Sequence, residues 1–208
     1  MFITFEGIEG SGKSLQIARS AAYLKEKGID CLGTREPGGT GFGIELRKIL
    51  LGTNGYSIEP WCEVLLYLAD RYQHLKEVIE PALARGVVVL SDRYQDATRA
   101  YQGAARGVSG AEIEKLSQVL GIREPDRTIL LDLAAEEGLG RARTRNLLSG
   151  TAESEGRFEA EDLAFHTRVR GAYLELAALH PERISIVPAS GTPDEVFSRI
   201  RGLLDQWL

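Results

Sequence analysis

One stretch near the start of the chain has the residue types and the spacing of a phosphate-binding loop. Residues 7–14 read Gly-Ile-Glu-Gly-Ser-Gly-Lys-Ser, which matches G-x-x-x-x-G-K-[ST]. The glycines let successive backbone N–H groups turn inward around an anion, and the following helix adds the positive end of its dipole. Lys13 can reach the outer phosphates, and the Ser14 hydroxyl can ligate Mg²⁺. The predicted contacts of a nucleoside triphosphate here are Gly7, Ile8, Glu9, Gly10, Ser11, Gly12, Lys13 and Ser14.

The elements around this loop must supply a strand before it and a helix after it. An apolar run at residues 2–6 predicts the strand, and residues 13–27 predict a helix that stops at Gly28. Further strands are predicted at residues 29–34, 87–90, 128–133 and 184–188. Strands that alternate with helices predict an α/β fold, an open parallel sheet flanked by helices. Ligands bind such sheets at the carboxyl ends of the strands.

A long helix is predicted before the strand at 87–90. We expect Ser57 to cap it, and the helix reaches about Ala84. Its predicted buried stripe comprises Trp61, Val64, Leu65, Leu68, Tyr72, Leu75, Ile79 and Leu83. Later helices are predicted at 135–145, at 159–178 and after Thr192, which forms a capping box with Glu195. Residues 146–157 lose helical periodicity and are expected to form a mobile loop.

The composition is that of a single globular domain, which we expect to span residues 1–208. A net charge of −5 gives no global basic field, so no nucleic acid partner is expected. Cys31 and Cys62 match no metal or redox spacing, and we expect buried, reduced thiols in a cytoplasmic protein. No apolar run approaches the length that would cross a membrane, and no signal peptide is expected.

Segments distant in sequence should converge beside the loop. The turn at residues 35–41 and the sequence Asp92-Arg93-Tyr94 both follow predicted strands. Taken alone, Asp92 and Arg93 are best explained as a local salt bridge. The arginines around the expected mobile loop are Arg141, Arg143, Arg145 and Arg157. Their placement suits a lid over a transferring phosphate, although a solvated basic helix end stays open. The absence of an N-K-x-D motif weakens a GTPase interpretation.

Four segments, in this order, resemble thymidylate kinases. They are residues 5–14 (the loop with its flanks), 34–40 (Thr-Arg-Glu-Pro-Gly-Gly-Thr), 92–94 (Asp-Arg-Tyr) and 100–103 (Ala-Tyr-Gln-Gly). The similarity continues through residues 141–143 and 173–177 and covers essentially the whole chain. It implies a P-loop NTPase fold of the nucleoside monophosphate kinase type, with a lid at about 141–158. It also implies transfer of the ATP γ-phosphoryl group to dTMP with Mg²⁺, usually by a homodimer.

The resemblance assigns roles to individual residues. It implies that Arg93 binds the dTMP phosphate, that Asp92 and Ser14 organise Mg²⁺, and that Glu9 lies near the sugar and the metal. The implied dTMP contacts are Glu36, Pro37, Tyr67, Arg71, Arg93, Thr98, Tyr101 and Gln102. Arg141 and Ala189 would lie on the adenine side. From spacing alone, Tyr67 is a core-edge residue, Arg71 is solvated, and Tyr101 is equally well a core tyrosine.

The transition-state arginines are expected in the lid. The loop has Gly10 where some relatives carry a catalytic arginine. We therefore expect Arg143 and Arg157 to meet the charge on the transferring group, with Arg145 in reserve. Gly156 precedes Arg157 where relatives often have an acid, and Ala97 replaces a common serine. Two alternatives remain at this stage: a kinase for another monophosphate such as dUMP or UMP, and a nucleotide-binding regulator without turnover.

Replacing Lys13 by Ala is predicted to remove most turnover while leaving the fold intact. The ammonium group meets charge that develops on the transferring phosphoryl group, and losing such a contact typically lowers kcat by about 10²–10³-fold. Steady-state turnover of the folded variant measures the effect. A near-wild-type kcat would overturn the assignment of the phosphate-binding loop.

Overall fold

The computed structural model describes residues 1–53, 57–150 and 156–208. Its centre is a five-stranded parallel sheet with the order β2-β3-β1-β4-β5. The strands are β1 (Phe2–Glu6), β2 (Cys31–Arg35), β3 (Val88–Asp92), β4 (Arg127–Asp132) and β5 (Ile184–Pro188). Every residue of β1 is buried, as expected for the middle strand of a sheet covered on both faces. The predicted fold class is confirmed.

Helices connect the strands. They are α1 (Lys13–Glu26), α2 (Gly41–Leu51), α3 (Pro60–His74), α4 (Glu80–Ala84), α5 (Gln95–Thr98), α6 (Gly110–Val119), α7 (Ala135–Ser149), α8 (Leu163–Leu179) and α9 (Pro193–Trp207). π-Helical turns at Leu75–Ile79 and Arg99–Ala105 continue α3 into α4 and extend α5. Among the described residues, no helix is long and apolar enough to cross a membrane.

The sheet register brings the chemistry to one edge. Phe5 of β1 pairs with Asp92 of β3, and Arg35 of β2 pairs with the same Asp92. The loop that follows β1 and the turns that follow β2 and β3 therefore emerge side by side. This is the carboxyl edge at which α/β proteins bind their ligands.

The long helix differs from its prediction. It begins at Pro60, with Glu59 at the N-cap position, so the expected Ser57 cap is wrong. Val64, Leu68, Leu75 and Ile79 are buried as predicted. Leu83 is partly buried. The other three residues of the expected buried stripe are more accessible: Trp61, Leu65 and Tyr72 are 39%, 55% and 41% exposed in the single chain.

The structure also tests the helix boundaries predicted for the C-terminal half and the predicted burial of the two cysteines. Helix α7 continues to Ser149, so the first residues of the expected mobile loop at 146–157 are helical, while residues 151–155 lie outside the described part. Helix α8 begins at Leu163, with Asp162 as its cap, and not near Glu159. The predicted capping box of Thr192 and Glu195 is confirmed. Neither cysteine is buried: Cys31 is half-buried and Cys62 is exposed.

Candidate active site

The phosphate-binding loop joins β1 to α1, which begins at Lys13. Gly12 stands before the helix with a φ of 92°, a conformation that L side chains rarely adopt. The Lys13 ammonium lies back over the loop and donates to the carbonyl oxygens of Gly7 and Ile8, at 3.0 and 2.8 Å. Burial lowers the pKa of Lys13 to about 8. An anion in the loop would restore the charge balance of this buried ammonium.

A contact between two glycines fixes the loop against α7. A Cβ atom on Gly10 would lie 2.1 Å from the carbonyl oxygen of Gly138, and one on Gly138 would lie 2.6 Å from that of Glu9. No larger side chain fits at either position without moving backbone. An arginine at position 10 would therefore require the backbone of the loop or of α7 to move.

The same contact orients the arginines of α7. Residues three and seven positions after Gly138 share its face of the helix. These residues are Arg141 and Arg145, and both line the central cavity. Arg141 donates to Glu137 at 2.5 Å, and Arg145 donates to Glu159 at 3.0 Å.

The cavity has a volume of about 550 Å³ and runs from the loop to α3. Most predicted site residues line it: Glu9, Gly10, Gly12, Lys13, Ser14, Glu36, Pro37, Tyr67, Arg71, Asp92, Arg93, Thr98, Tyr101, Gln102 and Arg141. Those placed elsewhere are Gly7, Ile8, Ser11, Ala189, Arg143 and Arg157. Gly7, Ile8 and Ser11 still touch Lys13, and the Ala189 carbonyl lies 3.5 Å from the Arg141 guanidinium.

Ser14 and Asp92 form an oxygen pair at the end of β3. The Ser14 hydroxyl donates to the Asp92 carboxylate at 2.6 Å. A hydroxyl and a carboxylate are hard oxygen donors, and Mg²⁺ sites use one or two of these together with substrate phosphates. Among the described residues no cluster of three His, Cys, Asp or Glu side chains could form an all-protein metal cage. The donor set therefore fits a magnesium ion that arrives with a nucleotide.

Arg93, after β3, places a second cation against the loop beside Lys13. Among the described residues, Arg93 is the non-glycine residue whose φ, 70°, lies in the left-handed region. The resulting turn points its guanidinium back at the loop. The guanidinium donates to Glu9 at 2.8 Å, to the Gly7 carbonyl at 2.9 Å and to the Tyr101 hydroxyl at 3.0 Å. The ion pair of Arg93 is thus with Glu9, while Asp92 accepts from Ser14. The simple Asp92–Arg93 salt bridge is not the observed pairing.

Glu9 stands among polar partners despite its position in an anion-binding loop. Tyr101 donates its hydroxyl to the Glu9 carboxylate at 2.7 Å, and His166 Nδ1 lies 3.5 Å from it. Burial acts to raise the pKa of Glu9, but Arg93 and His166 together hold that pKa well below its usual range. Glu9 is therefore a carboxylate that neutralises Arg93 in this structure.

Glu6 closes the far side of the Arg93 turn. This fully buried carboxylate accepts from the Tyr94 amide at 2.7 Å and from the Tyr173 hydroxyl at 2.6 Å. Tyr173 in turn accepts from Arg93 at 3.2 Å. Burial raises the pKa of Glu6 to about 7. Glu6 and Tyr173 brace the turn that aims Arg93.

Arg71, on α3, lies in the wall of the cavity and is only 1% exposed. The solvated position that spacing alone suggests is therefore wrong. Its guanidinium donates to Glu36 at 2.8 Å, to Gln95 at 2.8 Å and to Thr98 at 2.9 Å. Glu36 also contacts His74 Nδ1 at 2.9 Å. These bonds preorganise a planar cation at the cavity wall.

Arg143 and Arg157 are bonded away from the cavity. Arg143 donates to the carbonyl oxygen of Glu159 at 3.2 and 3.1 Å. Arg157 donates to the Leu50 carbonyl at 2.9 Å and to the Glu63 carboxylate. For either guanidinium to reach a phosphate in the cavity, these bonds must break. Their transition-state role stays a prediction.

Some lining residues were not predicted as site residues. They are Leu15, Arg35, Arg47, Leu51, Ala97, Arg145, Phe158 and Glu159. Arg35 belongs to the Thr-Arg-Glu-Pro-Gly-Gly-Thr segment, so that motif could have indicated it, and Arg145 was named as a reserve. Arg47 lies on α2, where nothing in the local pattern distinguishes it from a surface cation. The packing of α2 against α3 brings it to the cavity.

A phosphate-binding loop that shares one cavity with the separate cations Arg93 and Arg71 defines a P-loop phosphotransferase of the nucleoside monophosphate kinase type. A family model described as thymidylate kinase matches residues 5–200. The chain belongs to the thymidylate kinase family.

Curated relatives and a solved structure agree with this assignment. A thymidylate kinase of Nitratidesulfovibrio vulgaris is 55% identical over 201 residues, which is 96% of this chain and 94% of the relative. One from Oleidesulfovibrio alaskensis is 55% identical, with 97% and 95% covered. A crystal structure of thymidylate kinase from Ehrlichia chaffeensis matches with a TM-score of 0.78 and 29% identity, covering 98% of both chains.

Replacing Glu6 by Gln is predicted to change how stability depends on pH. The folded state holds the Glu6 proton up to about pH 7, whereas the unfolded chain releases it near 4.5. The wild-type protein therefore loses stability as pH rises through that window, because it must ionise a buried group. Glutamine mimics the protonated form and escapes this loss, by on the order of 1–3 kcal/mol.

Thermal unfolding of both proteins at pH 5 and pH 8 measures this difference. The Tm of Glu6→Gln relative to wild type is expected to shift in favour of the variant at pH 8. A Tm difference that is equal at both pH values would contradict the assignment of a proton to Glu6.

Proposed function

We propose that this protein transfers the γ-phosphoryl group of ATP to dTMP and releases dTDP and ADP. The observation that carries the proposal is the single cavity with the phosphate-binding loop and Lys13 at one end and Arg93, Arg71 and Tyr67 at the other. In the reaction, an oxygen of the dTMP phosphate forms a bond to the γ-phosphorus. The bond from that phosphorus to the β,γ-bridging oxygen breaks, and the electron pair leaves with ADP.

The donor half holds the triphosphate of ATP. The loop amides and Lys13 contact the phosphates, and Lys13 exchanges its bonds to the Gly7 and Ile8 carbonyls for phosphate oxygens. Ser14 and Asp92 hold the Mg²⁺ that accompanies the nucleotide. When bound, this ion neutralises charge on the phosphate groups of ATP. Arg141, close to the Ala189 carbonyl, lies on the adenine side.

The acceptor half binds dTMP through its phosphate and its base. Arg93 offers a planar guanidinium to the phosphate, and binding exchanges part of its pairing with Glu9 for phosphate oxygens. Arg71 and Thr98 face the base from one wall, and Tyr67 supplies an aromatic surface. Tyr101 packs beside the sugar, where its hydroxyl already bonds Glu9. Glu36 keeps Arg71 oriented, while Pro37 and Gln102 complete the pocket.

Charge on the transferring group is met by arginines of the lid, residues 141–158. In the arrangement described, Arg141 and Arg145 already line the cavity on the face of α7 that packs on Gly10. To approach a γ-phosphoryl group they would exchange their bonds to Glu137 and Glu159 for phosphate oxygens. Arg143 and Arg157 act there only if their bonds to Glu159, Leu50 and Glu63 are released.

An acceptor panel with ATP and Mg²⁺ tests the proposal and its selectivity. We expect dTMP to be the best substrate and dUMP to be poor without being rejected, because one methyl group in an apolar pocket is worth only about 1–3 kcal/mol. Purine monophosphates should fail because the pocket lacks room. ADP release for each acceptor gives kcat/KM, and equal values for dTMP and dGMP would contradict this pocket.

We further propose that the protein is a homodimer that uses the exposed apolar line of α3. Trp61, Leu65 and Tyr72 recur at helical spacing on one side of α3 and are accessible in the single chain. A second copy that covers this line would explain why the sequence pattern suggests burial. Large exposed apolar side chains in a row are typical of protein interfaces.

Replacing Leu65 by Glu is predicted to convert dimers to monomers, since it places a charge in the covered surface. Sedimentation equilibrium measures the mass. Leu179→Glu is the matched control, because Leu179 is a 72% exposed leucine at the end of α8. A monomeric wild-type protein, or equal loss of mass in both variants, would refute this interface.

A further inference from the structure

Glu63, on the first turn of α3, is a buried carboxylate that has no role in the reaction described above. Its side chain is 0% exposed. It accepts from the Gln102 side-chain amide at 2.6 Å and from the Arg157 guanidinium. Arg106 approaches the same carboxylate at 3.6 Å and forms an ion pair with Glu161 at 2.7 Å. Two carboxylates and two guanidiniums thus balance each other at this position.

Arg157 reaches beyond Glu63 to the end of α2. Its guanidinium donates to the Leu50 carbonyl at 2.9 Å, and its backbone amide donates to the Leu51 carbonyl at 3.1 Å. Both its side chain and its backbone therefore hold the segment at 156–160 against α2. Residues 156–158 of this segment are the C-terminal end of the predicted lid.

Glu63, Arg157 and Leu50 each lie close in sequence to a residue that lines the cavity, and Gln102 lines it itself. Tyr67 follows Glu63 by one turn of α3, Phe158 follows Arg157, Leu51 follows Leu50, and Gln102 binds Glu63 directly. These neighbours, Leu51, Tyr67, Gln102 and Phe158, all line the cavity and come from separate segments of the chain. Glu63 thus bonds Gln102 of this wall directly, and through Arg157 it is linked to the segments that carry Leu51 and Phe158.

We propose that Glu63 is a positioning residue that assembles this wall of the acceptor pocket by holding Gln102 and Arg157. The inference rests on the proposed function, because the pocket that it shapes is the one assigned to dTMP. Arg157 then acts as an anchor for the returning end of the lid and not as a group that touches the reacting phosphate. The donor half, on the opposite side of the cavity, does not depend on Glu63.

The test compares Glu63→Gln with wild type. The amide keeps the shape of the side chain but loses the charge and one acceptor oxygen, so it cannot satisfy Gln102 and Arg157 together. We expect the KM for dTMP to rise about tenfold, with kcat and the KM for ATP changed less than about threefold. A general loss of stability would not separate the two KM values in this way.

Two further variants sharpen the test. Glu161→Gln is the matched control: it removes the other carboxylate of the cluster, which bonds Arg106 and does not contact Gln102 or Arg157. It should leave the KM for dTMP unchanged. Arg157→Met should raise the KM for dTMP as Glu63→Gln does, and the double variant should be no worse than the worse single one, because both act through one contact.

Amide hydrogen exchange of the free proteins gives a readout that does not depend on turnover. The Arg157 amide, which bonds the Leu51 carbonyl, should exchange faster in Glu63→Gln than in wild type or Glu161→Gln. If wild type fails to phosphorylate dTMP but this exchange pattern holds, the proposed function fails and the anchor stands. Unchanged KM values and exchange in Glu63→Gln, or a collapse of kcat confined to Arg157→Met, would overturn the inference.

Discussion

The guanidinium of Arg93 links the phosphate-binding loop to side chains from later segments of the chain. It donates to the Gly7 carbonyl and the Glu9 carboxylate of the phosphate-binding loop, and also to the tyrosines Tyr101 and Tyr173. The Arg93 side chain is only 17% exposed, and a guanidinium so far removed from water must have most of its donors satisfied. These partners therefore cannot move independently of it. Because Arg93 also lies in a left-handed backbone conformation, the turn after β3 is held in one geometry. The phosphate-binding loop and the turn after β3 are therefore fixed relative to each other.

Three arginines at or near the cavity are each paired with a carboxylate. Glu9 neutralises Arg93, Glu36 neutralises Arg71, and Glu63 neutralises Arg157. Separating the two partners of such a pair leaves a charge unpaired and out of water, which is costly in free energy. The pairs therefore hold the geometry of their side chains. Two of them, at Arg93 and Arg71, also present a cation to the cavity. A phosphate or a polar base can then bind to a group whose orientation has already been set.

Steric contact, and not charge, positions helix α7 against the phosphate-binding loop. Gly10 and Gly138 approach so closely that a Cβ atom on either would meet backbone. Through helical periodicity, this contact turns Arg141 and Arg145 toward the cavity. Arg143, two positions from each of them, points to the Glu159 carbonyl instead. The geometry of one backbone contact thus decides which arginines of a single helix are available to a nucleotide.

The sequence by itself determined the features that depend on local order. The loop between β1 and α1, the parallel strands and the capping box at Thr192 all follow from patterns of neighbouring residues, and the structure has them as expected. The predicted start of α3 at Ser57 and the predicted start of α8 near Glu159 were wrong. Boundaries depend on weak, competing capping choices that distant packing decides.

Only the tertiary structure decided the partners of charged side chains. Spacing suggested that Arg71 was solvated, yet it is buried. Its partners Glu36 and Thr98 come from segments distant in sequence, and only the fold brings them to its guanidinium. The sequence placed Arg143 ahead of Arg145, since helical periodicity alone does not show which face of α7 meets Gly10. Glu63 carried no local signal at all, because its partners Gln102 and Arg157 are 39 and 94 positions away. Pairing across such separations is set by the fold, through the three-dimensional meeting of segments that no short pattern records.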